Sequence, residues 1–533
     1  MTRFIVVLVS CILSLPSLAV AQHETHGAMP ADGIGSASVK FETSCAPPLR
    51  DDFNKGVALL HSFWFPEAIK AFEGILAVDG NCAMAHWGIA LSQWGNPFAG
   101  IKPARAVELT KTSIDKAATT GSPTPRERAY IAAVGQLVTA ADPGSHGARI
   151  GAYESAMEKV SRENPTDTEA KIFYALAVAQ TAPPTDKTYA KNLKAAGILE
   201  PLFAQMPAHP GLAHYIIHAY DAPPLAEKAL VAARKYASLA PAIPHALHMP
   251  SHTFTRVGSW KESIDTNTRS AEAARKSNGA GEELHALDYQ TYAFLQIAQD
   301  TAAKAVVNHA HEVARAATGP ANSFAIAAIP ARYALERGNW AEAAALTPSP
   351  ATTPFTEAVT HFARALGAAR SGNPAAATAD IERLAALRDK TKELKDAYWT
   401  EQIDIQRRVA LAWQTFAMGN KDEGLSQLSA AADAEDLTDK SAVSPGPLAP
   451  ARELFGYMLL DAGKAKEALV AFELTMKKEP NRFRGMYGGA RAAETLGDRA
   501  KAAAYYKALL AVAKEADTQR LELQHAKKYV GLN

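Results

Sequence analysis

The sequence predicts an all-α protein built as a solenoid of helical hairpins. The chain is rich in alanine, leucine, glutamate and lysine, all strong helix formers. Runs of alternating apolar and polar residues, the pattern of a half-buried strand, are scarce. In addition, a short motif recurs at a spacing of 34 residues, which is typical of stacked helix pairs.

The first 21 residues have the pattern of a secretory signal peptide. Arg3 supplies a positive charge, Phe4 to Leu15 is almost continuously apolar, and Ala19 to Ala21 offers small residues for cleavage. The segment ending at Cys11 faintly resembles a lipoprotein signal, but the apolar run continues beyond it. That run is too short for a permanent anchor. We therefore expect cleavage near Ala21 and a periplasmic or secreted protein without stable membrane insertion.

The composition divides the remainder of the chain into three predicted segments. Residues 22–50 contain glycine, proline and serine without periodicity and are predicted to be a flexible leader. Residues 51–345 are predicted to form an N-terminal helical array that contains a histidine cluster, and residues 346–533 a C-terminal array of repeats.

Two cysteines, Cys45 and Cys82, remain after the predicted cleavage. An even number of cysteines in an oxidising compartment favours one disulfide, and two separate buried thiols are the alternative. The charge is balanced, with 56 basic and 55 acidic residues and no basic stripe. This balance gives no support to a nucleic-acid partner.

The recurring motif is clearest near the C-terminus. Gly463 to Ala468, followed by Phe472, recurs 34 residues later as Gly497 to Ala502, followed by Tyr506. Further copies are Gly258–Ser263, Gly338–Ala343, Gly372–Ala377, Gly419–Gly424 and, without the glycine, Phe63–Ala68.

This motif resembles the tetratricopeptide repeat. In that repeat the glycine closes the first helix of a hairpin, where a positive φ is often needed, and the later aromatic residue fills the space between hairpins. The resemblance implies a solenoid whose concave groove binds a protein or peptide partner. Residues 120–212 match the repeat weakly, and residues 435–450 are predicted to be a loop.

Histidines at helical spacing form the main candidate site. Seven of the 16 histidines lie between His209 and His285. The candidate metal ligands are His214, His218, His245, His248, His252 and His285. Imidazoles that share one helix face are a common way for a helical scaffold to bind a transition metal, and they suit copper or zinc.

The repeat period predicts that these histidines are neighbours. His214 and His248 are 34 residues apart, and so are His218 and His252. Equivalent positions on adjacent repeats lie side by side in a solenoid. We therefore expect these four imidazoles to meet at one point, with His245 and His285 at its margin.

Acidic residues near the cluster are candidates to orient the imidazoles. These are Asp221, Glu283 and Asp288, which serve equally well as helix caps or surface charges. Each histidine taken alone also has a simpler interpretation as a packed ring that hydrogen-bonds to the backbone or to tyrosine.

Three stretches also resemble a group of exported bacterial repeat proteins. They are Asp52–His61, His245–Ser251, which with His252 completes a His-x-x-His-Met-Pro-Ser-His segment, and Glu283–Asp288. The resemblance implies a class of protein and no activity.

Two functions are consistent with the sequence. One is a metal-binding repeat protein for metal storage, delivery or sensing, with a catalytic form in which Glu283 acts as general base. The other is a non-catalytic scaffold that binds a partner's peptide in its groove. The sequence leaves open whether there is catalysis.

Overall fold

The computed structural model describes residues 32–139, 146–317, 323–348 and 353–532, and within these ranges it is entirely helical, without strands. The N-terminal helices are α1 (Arg50–His61), α2 (Phe65–Val78), α3 (Ala83–Trp94), α4 (Ala104–Thr119), α5 (Pro125–Gly135), α6 (His146–Glu163), α7 (Thr168–Gln180) and α8 (Ala190–Gln205). The central helices are α9 (Pro210–Ala219), α10 (Leu230–Leu239), α11 (Pro244–His248), α12 (Pro250–Arg256), α13 (Trp260–Lys276), α14 (Ala280–Gln296), α15 (Asp300–Ala316), α16 (Ser323–Glu336) and α17 (Trp340–Ala344).

The C-terminal helices are α18 (Pro354–Arg370), α19 (Thr378–Glu393), α20 (Ala397–Ala417), α21 (Lys421–Asp436), α22 (Ala451–Asp461), α23 (Ala465–Lys478), α24 (Phe483–Thr495), α25 (Arg499–Val512) and α26 (Leu521–Val530). Most helices pack against the next helix in the chain, and the contacts are extensive within pairs such as α13 and α14, α20 and α21, and α24 and α25. The predicted all-α solenoid of helical hairpins is therefore confirmed. The region 120–212, where the repeat signal is weak, also forms successive packed helices, α5 to α8.

The backbone between paired helices follows the repeat motif. The motif glycines all have positive φ: Gly258, Gly338, Gly372, Gly419, Gly463 and Gly497. Phe63, which stands at this position in the copy that lacks glycine, has a φ of 56°. The same left-handed turn is therefore made where the sequence supplies a bulky residue, because the packing of the adjoining helices requires it.

A buried phenylalanine between two glycines repeats at opposite ends of the chain. The ring of Phe72 lies against Gly56 and Gly88, which precede and follow it by 16 residues. The ring of Phe472 lies in the same way against Gly456 and Gly488, again 16 residues before and after. At all four glycines an added Cβ would come within 2.8 Å or less of the ring. The glycines therefore let three successive helices pack closely around one aromatic ring, which is the packing that the repeat predicts.

Residues 32–49 differ from the predicted flexible leader. Phe41 is buried and contacts the rings of Phe53, Trp87 and Tyr130. The sulfur atoms of Cys45 and Cys82 lie at disulfide distance, with their Cα atoms 4.7 Å apart. Apolar side chains at the end of a glycine- and serine-rich stretch therefore hold this segment against the first repeats. The predicted signal peptide, with Ala21, lies outside the described residues.

The C-terminal helices pack back against the central ones. Trp260 donates to the carbonyl of Asn481 across 2.8 Å, and the backbone N–H of Phe483 donates to Gln296 across 3.0 Å. Arg520 pairs with Asp300 across the same interface. Contacts thus cross the boundary predicted near residue 345. Among the described helices, none has both the length and the apolar character to cross a membrane.

Candidate metal centre

Four helices bring the six predicted histidines together. α9 carries His214 and His218 one turn apart, and α14 carries His285. The segment from 244 to 256 is two helices in line, α11 and α12, because Pro250 begins a new helix directly after Met249. α11 contains His245 and His248, and α12 contains His252. The interruption leaves His248 and His252 on the same side.

The first triad consists of His214, His218 and His245. One nitrogen atom from each ring lies within 4.8 Å of the other two. The Nε2 atoms of His214 and His218 are 3.1 Å apart. Nδ1 of His214 lies 2.6 Å from the carbonyl oxygen of His61. A carbonyl only accepts, so Nδ1 carries the proton and Nε2 of His214 presents its lone pair to the triad.

The second triad consists of His248, His252 and His285, again with one nitrogen of each ring within 4.8 Å of the others. Nδ1 of His248 donates to the amide oxygen of Asn267 across 2.7 Å. Nδ1 of His252 donates to Asp221 across 2.9 Å. These acceptors fix the proton of each neutral ring on Nδ1.

The two Nε2 atoms of this second triad therefore face each other as lone pairs. They belong to His248 and His252 and are 3.2 Å apart. Neither neutral ring has a proton left to place between them, so the pair is repulsive without a cation. Ligand nitrogens on a tetrahedral ion with bonds of about 2.0–2.1 Å are about 3.3 Å apart, so the observed spacing suits a shared metal.

Two further ring nitrogens in the cluster have no hydrogen-bond partner. Nε2 of His245 and Nδ1 of His285 are both buried without one. A buried polar atom without a partner costs free energy. One such nitrogen occurs in each triad, so each triad contains an unused lone pair or N–H beside two further imidazoles.

Burial keeps these rings neutral. It lowers the pKa of His214, His218 and His248 well below the usual value. It lowers the pKa of His252 to about 4 and that of His285 to about 3. In every case the largest cause is the loss of solvation of the charged ring. Neutral imidazoles have free lone pairs at neutral pH, which is the state that binds a metal.

Asp221 is the centre of a charged group behind the second triad. Burial opposes its ionisation, but Lys440 and Arg256 hold the pKa of this carboxyl well below its usual range. Arg256 donates to one oxygen across 2.8 Å, while the other accepts from His252 and from Lys440. The predicted role of Asp221 in orienting an imidazole therefore agrees with its contacts.

The other two predicted acidic partners contact different groups. Glu283 lies 3.0 Å from Arg275 and 2.7 Å from His309. Asp288 accepts from the buried guanidinium of Arg332 across 2.8 Å. Both carboxylates are thus held by cations on neighbouring helices rather than by the six imidazoles. The carboxylate near His245 is Glu282, at 3.8 Å.

The histidines do not meet at the single point expected from the repeat period. They form two groups of three, and His245 and His285 are full members rather than marginal ones. The register explains the difference. His245 lies one turn before His248 and therefore reaches back to α9, while His248 and His252 turn toward α14.

Three further residues contact the site, and two of them, Asn267 and Lys440, were not singled out in the sequence. Asn267 fixes the proton of His248, and the ring of Tyr289 packs against His248 and His252. Lys440 comes from the loop 437–450 between α21 and α22. The hydroxyl of Tyr289 donates to the carbonyl of Ser444 in that loop across 3.1 Å. The loop itself was predicted, but its position beside the cluster was not, since no local pattern encodes so distant a contact.

A cavity of about 970 Å³ opens beside the cluster. Two histidines of each triad line it, namely His218, His245, His252 and His285. Its other walls include Phe98, which stacks on His218 with ring centroids 4.0 Å apart, and the carboxylates of Glu282 and Glu283. Both triads are therefore accessible from one space.

A third group of metal-binding side chains lies nearby, at His61, Glu169 and His209. Both imidazoles donate to the buried carboxylate, across 2.8 Å and 3.0 Å. The two imidazoles hold the pKa of Glu169 low against the effect of burial. The carboxylate of this group thus accepts hydrogen bonds from both imidazoles. His61 also contacts Tyr215 on α9 across 2.9 Å, which connects the group to that helix.

No family model matches the sequence, and no curated protein matches it. Among solved structures, the chain is similar to one described as "Crystal structure of APC/C hetero-tetramer Cut9-Hcn1". The two are 10% identical, the alignment covers 90% of each chain, and the TM-score is 0.32. A likeness at this level adds nothing to what the helices show directly. The fold and the cluster together define a helical-repeat protein with a group of six histidines, four of them buried and two partly exposed.

Proposed function

We propose that this chain is an exported, tetratricopeptide-like repeat protein that binds copper or zinc through its buried histidines. The observation that carries the proposal is the 3.2 Å separation between Nε2 of His248 and Nε2 of His252. Both Nδ1 protons are already donated, to Asn267 and Asp221. A metal ion accepts both lone pairs and removes their repulsion.

A proton is a poor substitute for the metal at this position. A shared proton between the rings requires one imidazolium, and burial lowers the pKa of His252 to about 4 and that of His248 well below its usual value. At neutral pH the rings are therefore unprotonated at Nε2. Donor chemistry then selects the ion, since all-imidazole ligation suits zinc and copper and is a poor match for calcium or magnesium.

Metal binding, delivery and metal-dependent chemistry all fit this site. The open cavity beside the triads gives an incoming ligand access to the ions. An exported location is part of the proposal and is supported by the cysteine pair, since disulfides persist in oxidising compartments.

Metal analysis of the protein without a polyhistidine tag tests this function. We expect copper or zinc to remain bound through dialysis, and the variant His248→Ala with His252→Ala to lose the ion from the second triad. His361→Ala is a matched control, because His361 is hydrogen-bonded to Asp380 on distant helices. A folded wild-type protein that retains neither metal contradicts the proposal.

The second candidate is a scaffold that binds a protein or peptide. It is favoured by Val470 and Leu474, which lie one turn apart on α23 and expose 54% and 49% of their surface. Exposed apolar side chains at this spacing are suited to a partner surface. Under this alternative a folded, metal-free protein binds its partner normally, and Val470→Asp weakens that binding while the histidine variants have no effect.

A further inference from the structure

Resting on the proposed function, we infer that the cluster holds two metal ions side by side, one in each triad. Six imidazoles in this arrangement do not surround one ion. Their ligand atoms come within 4.8 Å of one another only in groups of three. Bonds to a single ion are about 2.0–2.1 Å long, so two ligands of one ion lie no more than about 4.2 Å apart. A site for one ion in the middle would therefore leave most of the rings out of reach.

Each triad has the features of a complete half-site. Each contains a pair of histidines one helical turn apart, with Nε2 atoms separated by 3.1 Å in the first and 3.2 Å in the second. Each gains its third ring from a neighbouring helix, His245 from α11 and His285 from α14. Each third ring carries one buried nitrogen without a partner.

The two half-sites are adjacent. The rings of His218 and His252 are 6.1 Å apart between centroids, and those of His245 and His248 are 6.3 Å apart. Within the triads the corresponding distances are shorter, for example 4.8 Å between His214 and His218. Rings of the two triads are therefore direct neighbours, which places the two half-sites next to each other.

An ion in either triad would have an open coordination position. Three imidazoles leave a fourth position free on a tetrahedral ion. The cavity of about 970 Å³ is lined by two histidines of each triad, so a small ligand in this space has access to both half-sites. Paired metals that share an open side act together on one small ligand, such as a hydroxide or another small anion. The centre is therefore a two-metal site with a common ligand position, not two separate binding sites.

The number of metal ions bound per chain tests this inference directly. Apoprotein without a polyhistidine tag is loaded with Zn²⁺ or Cu²⁺, freed of excess ion, and analysed by native mass spectrometry and elemental analysis. We expect two ions per chain. Each of the double variants His214→Gln with His218→Gln and His248→Gln with His252→Gln should retain one ion. Glutamine keeps much of the side-chain volume, and circular dichroism shows whether each variant is folded.

The outcomes separate this inference from the proposed function. One ion in the wild-type protein overturns the two-metal centre and leaves the metal-binding function intact, whereas none in the folded protein overturns both. Loss of all metal in either folded double variant contradicts the assignment of one ion to each triad. His361 is hydrogen-bonded to Asp380 on helices distant from the cluster, so the variant His361→Ala serves as control and should still bind two ions.

Electron paramagnetic resonance of the Cu²⁺ form tests adjacency. Two neighbouring Cu²⁺ ions interact magnetically, which reduces or splits the signal. We expect this interaction in the wild-type protein and an isolated Cu²⁺ signal in each double variant. A wild-type spectrum that equals the sum of two isolated ions overturns the shared site.

Discussion

Lys440 donates a hydrogen bond from Nζ to Oδ2 of Asp221 across 3.2 Å, joining residues that are 219 positions apart. The same carboxylate oxygen accepts from His252. A loop of the C-terminal half is thereby connected to the second triad through one buried carboxylate. The ammonium is almost fully buried, and burial lowers the pKa of Lys440 to about 8.

Replacing the buried ammonium of Lys440 should raise the affinity for metal and lower the stability of the metal-free protein. Lys440→Met removes a positive charge that repels the metal, and it leaves Asp221 with one cation fewer. We expect affinity to rise by roughly 5-fold, equivalent to about 1 kcal/mol, and the melting temperature of the apoprotein to fall. Competition with a chromophoric chelator and thermal unfolding measure the two effects. Lys187→Met is the control, since Lys187 pairs with Asp439 in the same loop. Unchanged affinity with a lower melting temperature would assign Lys440 a purely structural role.

Removing the carboxylate of Asp221 should have the opposite effect and lower the affinity for metal. Asp221→Asn replaces the charged carboxylate with a neutral amide, whose single oxygen cannot accept from both His252 and Arg256. The Nδ1 proton of His252 is then held less firmly, so we expect affinity to fall by roughly 10- to 100-fold. The variant also leaves Lys440 and Arg256 less well paired. Adding Lys440→Met to it should therefore restore part of the thermal stability without restoring the metal affinity. Full recovery of affinity in the double variant would show that charge alone, and not the tautomer of His252, controls binding.

The turn at Gly258 tests the contact between the two halves of the chain. Gly258 has a φ of 70°, and an added Cβ would lie 2.4 Å from the carbonyl oxygen of Pro480. Gly463 has a similar φ of 76° with nothing within 4 Å. We expect Gly463→Ala to lower the free energy of unfolding by about 1 kcal/mol and Gly258→Ala by about 2–4 kcal/mol. Denaturant unfolding measures both. Equal losses would mean that the loop between α23 and α24, at Pro480, does not pack against this turn.

A buried carboxyl on α21 should make stability depend on pH. Burial raises the pKa of Glu435 to about 7, while its side chain accepts from the backbone N–H of Ala451 across 2.7 Å. Because the folded pKa is above the unfolded value, the stabilising contribution is complete below about pH 4 and is lost as the pH rises through about 7. Glu435→Gln keeps an acceptor and cannot ionise. Between pH 5 and pH 8 the wild-type protein should therefore lose about 1–3 kcal/mol of unfolding free energy relative to this variant. If the unfolding free energies of the wild-type protein and of Glu435→Gln change with pH in the same way, the raised pKa of Glu435 is contradicted.

The repeat period predicted the fold and the neighbourhood of the histidines, but not their grouping. A 34-residue spacing places helices side by side, and it correctly brought α9 next to the segment that contains His248 and His252. Which ring turns to which neighbour depends on the break at Pro250 and on hydrogen-bond acceptors such as Asn267. The repeat period could not predict that Lys440 lies at the site, because its contact with Asp221 depends on how the C-terminal helices pack against the central ones.

The position of the metal itself is the most direct test of the central claim. Crystals of the protein loaded with zinc or copper, measured at the absorption edge of that metal, locate the ion by anomalous scattering. We predict a peak about 2.0–2.1 Å from Nε2 of both His248 and His252, with His285 as the third ligand. A well-ordered structure of the loaded protein that shows no peak between these two rings, with Nε2 of one ring donating to Nε2 of the other, would contradict the account.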